Sequence, residues 1–496
     1  MTQQELNGTE RDFFATVSRA GFINPFSHER TELELKISGL PASASRKKRI
    51  EGFVSAVNER IAALEEAEKA DINLYRGEDR QIMERVFLIE QFYRFKDKFD
   101  EVIANQLASG NVVAKVPFYS EALAATNHRG FDEESFKRYF ALAFQIRRAF
   151  YFIDRGLVGN SPSMQLLRWN LWNNVFTHNI DLYDRYLRNQ MEDFSTLLLG
   201  ETGTGKGTAA QAIGRSGFIP LDRRRKSFVE SFTQSFISLN LSQFPETLIE
   251  SALFGHKKGA FTGAVEDYQG VFERCSPHGA ILLDEIGEVS YPIQIKLLQV
   301  LQERVFSPVG SQKQSRFHGR VIAATNRSKE QIHGPGGFRE DFYYRLCSDI
   351  IVVPPLRQRI QENPEELQLL LSKTVERLIG KPSPELVEMV SSVIDANLEP
   401  GYPWPGNVRE LEQCTRRVLL KGMYTGESDF KGLELDRQLI QGIEKGNIDA
   451  ASLVSGYCYL LYQRHQNFEE VARRTGLDRR TVKKYIQDWT TGDETS

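Results

Sequence analysis

Along the first 156 residues, apolar positions recur three and four apart. Between Ile82 and Ile103 they fall at Ile82, Val86, Ile89, Phe92, Phe99 and Ile103; a second stripe runs through Phe136, Tyr139, Phe140, Ala143 and Phe144. This spacing predicts amphipathic helices packed on a common core, with a groove for a partner helix as the less ordinary use of the same stripes. The run Arg46-Lys47-Lys48-Arg49 follows Pro-Ala-Ser-Ala-Ser and reads as the charged start of a helix, the alternative being a nucleic-acid patch. From about 157 to 355 the period shortens. Thr196–Leu199, Phe236–Leu239, Ala280–Leu283 and Val321–Ala324 are short β-rich runs, each followed by a polar or glycine-rich turn and separated by helical stretches. That alternation predicts a parallel sheet flanked by helices. Helical spacing returns from 356 to about 425, after Pro354-Pro355. A linker at 426–450 leads to a small helical domain at 451–496. The expected fold is therefore multidomain α/β: a mostly helical N-terminal domain (1–156), a parallel-sheet subdomain (157–355) with a helical lid (356–425), and a small helical C-terminal domain.

Composition narrows the setting. At 496 residues the chain is too long for one core; roughly three or four domains are expected. It is 41% hydrophobic and 26% charged, ordinary for a globular protein. No apolar run approaches the roughly 18–20 residues that span a bilayer, and the polar start MTQQELNGTERDFF does not read as a secretory signal. Cys275, Cys347, Cys414 and Cys458 are scattered, with no C-x-x-C pair. Neither a disulfide framework nor a zinc site is expected, and a reducing cytoplasm fits best. The net charge of −3 means that any nucleic-acid binding must come from a local basic face.

The chemistry begins at the end of the first β-run. Gly200-Glu201-Thr202-Gly203-Thr204-Gly205-Lys206 has the spacing G-x-x-x-x-G-K of a phosphate-binding loop. Its glycines allow backbone N–H groups to turn inward around phosphate oxygens, the following helix aims its N-terminus at them, and Lys206 supplies a mobile cation. Gly207 stands where Ser or Thr usually ligates magnesium, so Thr208 is the nearest hydroxyl. Ile281-Leu282-Leu283-Asp284-Glu285 is a strand ending in two carboxylates. Asp284 suits magnesium and Glu285 an attacking water, while a solvated acidic turn is the bland alternative. Asn326 ends a third strand, where it can sense a γ-phosphate or merely cap a helix.

Between the two ATP motifs lies Gly259-Ala260-Phe261-Thr262-Gly263-Ala264, the hexapeptide GAFTGA. With LLDEIGE, AATNR, FREDFYYRL, PPLRQR and YPWPGNVREL following in order, the region from 157 to 425 resembles the bacterial enhancer-binding proteins, the sigma-54-dependent activators of the AAA+ superfamily. The resemblance implies an AAA+ ATPase that uses ATP and Mg2+ and forms a ring, expected to be a hexamer. It implies that the GAFTGA segment, residues 259–264, contacts sigma-54 in the RNA polymerase holoenzyme. By matched position, Asp284 and Glu285 are the magnesium and water-activating pair, and Asn240 holds the glutamate until nucleotide state releases it. Asn326 is the first sensor and Arg409 the second. Arg339 and Arg345 match arginine fingers supplied to a neighbouring subunit, a role that suits a permanently charged fork; a surface ion pair is the alternative for each. The sequence departs from the family at Gly207, where glutamate is usual. It departs again at Leu241-Ser242-Gln243-Phe244, in a Trp-, Tyr- and Asn-rich stretch after Pro162, and in the basic run Arg223-Arg224-Arg225-Lys226, read as a solvated loop with an inter-subunit contact as the alternative.

The segment from Asn467 to Val482 reads as a helix-turn-helix. Ala472 is small where helices cross, Gly476 permits the turn, Asp478 can cap the second helix, and Val482 and Ile486 pack it. Arg479, Arg480, Thr481, Lys483 and Lys484 form the candidate DNA-binding face, directed at sites upstream of a promoter; a helical bundle with a solvated basic face is the alternative. The function expected is a sigma-54-dependent activator. Its rival, supported by Gly207, is a DNA-binding regulator whose nucleotide site is a degenerate ATPase or an oligomerisation switch. A motor for DNA or protein substrates leaves the hexapeptide unexplained. Residues 1–156 lack the acidic pairs and α/β alternation of a phosphoacceptor domain, and neither their signal nor the role of Gly21-Phe22-Ile23-Asn24-Pro25-Phe26 is evident.

Overall fold

The computed structural model describes residues 4–426, 439–440, 442–443, 446, 448–465 and 467–492, so most of the expected linker at 426–450 lies outside the described residues. Two compact units result, one of 1–388 with 401–415 and one of 389–400 with 416–496. Among the described residues no helix is long and apolar enough to cross a membrane.

The first unit is built on a five-stranded sheet: β1 (Thr196–Leu199), β2 (Phe236–Asn240), β3 (Ala280–Asp284), β4 (Arg320–Thr325) and β5 (Asp349–Val352). All neighbours are parallel, in the order β2-β3-β4-β1-β5. The four strands expected from sequence are present. β5 is the addition, an edge strand no longer than β1 but only partly buried. Alternation along each strand sends side chains to two faces. Leu197, Leu199, Ile281, Leu283 and Ala323 pack with the helix Tyr291–Glu303 on one face. Leu198, Leu282, Ile322, Ala324 and Ile351 pack with the helix Lys206–Gly214 on the other.

The second face explains the placement of the N-terminal helices. The long helix Gly77–Ser109 and the helix Glu133–Phe150 bring Phe95, Phe99, Phe136, Phe140 and Phe144 into the same core as Leu198 and Ile213. Residues 1–156 are helical as expected, but helix continues beyond 156 through Pro162–Phe176 and the first strand begins only at Thr196, so residue 156 marks neither a change of secondary structure nor a break in packing. Gln145 donates to the Ser216 carbonyl at 2.9 Å, and Arg148 donates to the Gly217 carbonyl. Arg148 is fully buried against Phe144 and Phe232, and burial pushes its pKa down to about 9. Arg46 begins the helix Arg46–Glu66 behind the N-cap Ser45, as the sequence predicts. The run Arg223–Lys226 turns a short ribbon; Arg223 pairs with Glu133 at 2.6 Å and Lys226 donates to Ser120 at 3.1 Å, so half of it is tied to the N-terminal helices. The Trp- and Asn-rich insertion folds as the helix Pro162–Phe176, burying Trp172 and placing Asn174 to donate to Thr196 Oγ1 at 2.9 Å.

In the second unit, the helices Ala450–His465, Phe468–Thr475 and Arg479–Gly492 enclose a small core of Cys458, Leu461, Val471, Val482 and Ile486.

Candidate functional site

Strand register assembles the site. Asn240 pairs with Asp284 across β2 and β3, Asp284 with Ala324 across β3 and β4, and Leu199 with Thr325 across β1 and β4. The carboxyl ends therefore finish in one row, and the turn after each emerges at the same edge, where open α/β sheets place ligands. After β1 the chain enters the loop Gly200–Lys206. Gly203 and Gly205 lie at φ 81° and 104°, a region that L side chains resist. A Cβ on Gly203 would stand 2.2 Å from the Gly406 carbonyl oxygen, so glycine is required there for close approach as well.

Lys206 heads the following helix and donates to the Gly200 carbonyl at 2.8 Å and the Glu201 carbonyl at 3.3 Å. Burial lowers its pKa, against the opposing pull of Glu285 and Asp284. Glu285 takes φ 56°, strained for a non-glycine residue, and its carboxylate accepts from the Asn326 backbone N–H at 3.4 Å. The Asn326 amide donates to Thr202 Oγ1 at 3.4 Å. The Asn240 side-chain oxygen accepts from the Ser242 N–H at 3.0 Å and its hydroxyl at 2.7 Å. Among the described residues no hydrogen bond joins Asn240 to Glu285. In this conformation the glutamate is held by the Asn326 backbone instead.

Lys206, Asn240, Asp284 and Glu285 line a cleft of about 730 Å³, together with the rest of Thr202–Thr208 and Arg409. Its apolar lining comes from Leu157, Val158, Met164, Leu167 and Leu370. Gly207 faces open space, where a Cβ would meet nothing within 4 Å, and Thr208 is exposed on the same wall.

The GAFTGA segment stands away from the cleft on a strap. His256 and Tyr268 bridge its base in antiparallel register, and Lys257 pairs with Asp267 at 2.7 Å, which holds the Asp267 pKa below its ordinary value. Within it, Gly259 donates to the Ala264 carbonyl at 2.8 Å, while Gly259 and Gly263 take φ 80° and 101°. Phe261 is 36% exposed and touches the edge of His256, ring centroids 4.9 Å apart. Ala264 is buried. Ala260 also approaches the neighbouring loop, its Cβ 2.8 Å from where a Cβ on Gly310 would lie.

Residues 176–351 match the model of the Sigma-54 interaction domain. The chain is 34% identical over 336 residues to the transcriptional regulatory protein ZraR of Klebsiella oxytoca, covering 66% of this chain and 67% of that one. The chain belongs to the sigma-54-dependent enhancer-binding protein family. It is also 38% identical over 322 residues to the Nif-specific regulatory protein of Azotobacter vinelandii, covering 65% of this chain and 52% of that one. The chain spans about half the length of the Nif-specific regulatory proteins that it matches. Among solved structures, NtrX from Brucella abortus in complex with ADP is 20% identical, with a TM-score of 0.39 over 74% of this chain and 80% of that one.

Two arginines of this family member lie apart from its own cleft. Arg339 forms a forked pair with Asp341 at 3.0 and 2.8 Å, and its backbone N–H donates to Gln294. Arg345 donates to the Leu301 carbonyl at 2.9 Å. Neither lines the cleft.

Sequence reasoning missed two ties that hold the cleft. Asn407 is fully buried at φ 55°; its side chain donates to the Thr202 carbonyl at 3.0 Å and accepts from the Leu356 N–H at 2.7 Å. Arg359 and Glu366, both buried, pair at 2.7 Å. Glu366 accepts the N–H of Ser161 at 2.7 Å and that of Asn160, while Arg359 donates to the Val158 carbonyl at 2.6 Å. Asn407 and Arg359 sit inside the motifs PGNVREL and PPLRQR, so their location was visible but their partners were not.

At the C-terminal end, Gly476 adopts φ 69° between two helices. Asp478 accepts from the N–H groups of Arg480 at 2.9 Å and Thr481 at 3.0 Å, as its capping role requires. Thr481 also gives its hydroxyl to Asp478. Arg479 pairs with Glu469 at 3.2 Å, and Lys483 lies 5.1 Å above the Phe468 ring. Arg480 and Lys484 are exposed.

Proposed function

We propose that this chain is a ring-forming ATPase that activates sigma-54-dependent transcription while bound to upstream DNA through residues 467–492. The observation that carries the reading is the joining, on one sheet, of a complete phosphate cleft and an exposed GAFTGA strap. The cleft fits a nucleoside triphosphate. Its apolar lining suits a planar base, and its glycine loop, Lys206 and Arg409 suit a phosphate chain. Among the described residues no cluster of three or more His, Cys, Asp or Glu is placed to hold a metal. Magnesium would therefore rest on Asp284 and phosphate oxygens, with the Thr208 hydroxyl on the same cleft, and would neutralise charge on the phosphates.

Glu285 is positioned to orient and deprotonate a water aimed at the terminal phosphate. Its bond to the Asn326 backbone gives the phosphate sensor a direct hold on the base. Arg339 and Arg345, lying outside their own cleft, are available to a neighbouring subunit's cleft; this supports a ring, with a hexamer as the stoichiometry the family resemblance implies. Changes at Asp284 and Glu285 would reach the strap through the body that follows β2, moving Phe261 against sigma-54 in the polymerase.

The oligomerisation-switch reading rests on Gly207 alone. A steady-state ATPase assay on the wild-type chain and Lys206→Ala separates the two. Turnover that disappears in Lys206→Ala supports the activator. A wild-type chain that binds ATP without turning it over, at any protein concentration, removes it.

A further inference from the structure

The helices of residues 1–180 line a second, partly open cavity of about 200 Å³, far more apolar than the nucleotide cleft. Its walls include Phe92, Tyr139, Phe140, Ala143, Phe150 and Trp172. The unexplained Gly21–Phe26 segment contributes to the lining through Gly21, Phe22, Ile23 and Pro25. Protein interiors pack as tightly as organic crystals, and a void of about 150 Å³ already admits a benzene ring. A lining so rich in aromatic faces and edges suits an aromatic guest.

The polar groups here are few and mostly paired. Arg30 and Glu34 are both buried and joined at 2.7 Å, and Arg30 also donates to the Tyr93 hydroxyl at 2.9 Å. Arg147 pairs with Asp100 at 2.6 Å, and Arg46 with Asp154 at 2.7 Å. An ionised guest would lose its water without gaining a free partner among these pairs, although half-buried Lys96 also lines the pocket and makes no ion pair among the described residues. Among the buried groups, Gln91 is the exception. It lines the cavity, is 8% exposed, and its side-chain oxygen has no hydrogen-bond partner. A buried acceptor left alone is costly, and a guest that carries one N–H or O–H would satisfy it.

The helix Glu133–Phe150 connects this cavity to the ATPase. Ala143, Ile146, Arg147 and Phe150 line the cavity, while Gln145 and Arg148, between them in sequence, hold the Ser216 and Gly217 carbonyls. Those carbonyls directly follow the helix that begins at Lys206. A guest that shifts Glu133–Phe150 therefore acts on the element carrying the phosphate lysine.

We propose that this cavity is an effector site for a small neutral aromatic molecule bearing one hydrogen-bond donor, and that its occupancy alters ATP turnover through the helix Glu133–Phe150. The binding half stands without the ATPase reading; the coupling half rests on it. The test uses the full chain, with indole as the probe and indene as its isostere lacking the N–H. Calorimetry should show saturable indole binding, with indene weaker by about fivefold, the worth of one hydrogen bond. Gln91→Leu should remove that preference. Ala143→Trp, which fills the cavity, should abolish binding while circular dichroism stays at the wild-type level. Ala143→Leu, a milder filling, should weaken binding if the tryptophan variant misfolds. Basal turnover without indole reports separately on the ATPase. Absence of saturable binding, binding unchanged in both Ala143 variants, or tighter binding of indole-3-carboxylate through half-buried Lys96 overturns the site. Indole that binds yet leaves wild-type turnover unchanged overturns the effector role.

Discussion

Asn407 and Thr202, 205 positions apart, are joined by a hydrogen bond of 3.0 Å from a buried side-chain amide to a carbonyl of the phosphate loop. The same side chain accepts the Leu356 N–H, so one asparagine clamps the loop against the segment that follows Pro354-Pro355. Asn407→Leu leaves both backbone groups without a partner, at about 1–3 kcal/mol each. It should weaken ATP binding by roughly tenfold or more, since about 1.4 kcal/mol is a factor of ten, and lower the thermal midpoint. Asn407→Gly keeps the φ of 55° accessible and should show the affinity loss with less strain. Calorimetry and thermal melts read both quantities; an unchanged affinity in each variant shows that the clamp is idle.

The separation of Arg339 and Arg345 from their own cleft makes a prediction about mixtures. Arg339→Ala or Arg345→Ala should cut turnover by roughly 10³-fold or more if finger energetics from GTPases carry over. Arg339→Ala mixed with Lys206→Ala should regain part of the lost activity, because some interfaces then combine an intact finger with an intact cleft. A mixture as inactive as its components, under conditions where rings form, removes the shared site.

Phe261 is partly exposed and touches His256 at the ring edge, so it contributes little to its own core. Phe261→Ala should keep ATPase activity and ring formation. It should lose binding to sigma-54 in the presence of a transition-state analogue, and with it promoter opening, since exposed aromatics often carry interface energy. One purified preparation assayed for all three activities decides the point. Loss of the ATPase together with the fold would make Phe261 a structural residue.

At the C-terminal helices the ion pairs rank the candidates. Arg479 is engaged by Glu469 and Thr481 by Asp478, whereas Arg480 makes no ion pair among the described residues. Arg480→Ala should therefore weaken DNA binding more than Arg479→Ala, and reduce the salt slope by about one counterion. Lys483→Ala should act similarly with an added loss of packing on Phe468. Gel shifts across a salt series measure both; equal, unaltered binding in all three variants places the DNA surface elsewhere.

Much of the cleft was legible because its parts are local. A glycine at φ 81° or 104° is demanded by the loop itself, and Lys206 follows it by spacing alone. Asp284 and Glu285 end a short apolar run bounded by turn residues, the pattern of a buried strand. The hold on Glu285 was not legible. The sequence points to Asn240 by resemblance, yet the Asn240 oxygen is satisfied by Ser242 two residues on, and the Asn326 backbone takes the carboxylate. Ser242 lies in the segment that departs from the family pattern, and a side chain that bonds its own backbone nearby loses little entropy in doing so.

The sequence by itself determined the helical character of residues 1–156, four of the five sheet strands, the phosphate loop and the order of the motifs. These follow from the period of apolar residues and from the conformations that glycine permits, both properties of short stretches. Only the tertiary structure decided what each apolar face packs against. Periodicity shows that Phe140 and Phe144 are buried, but not that they share a core with Leu198 of β1. Nor does it show that Gln145 and Arg148 reach the end of the Lys206 helix, or that Asn407 finds Thr202. Those contacts join positions far apart in the chain, and a hydrophobic or polar side chain carries no mark of its partner until the strands have set their register.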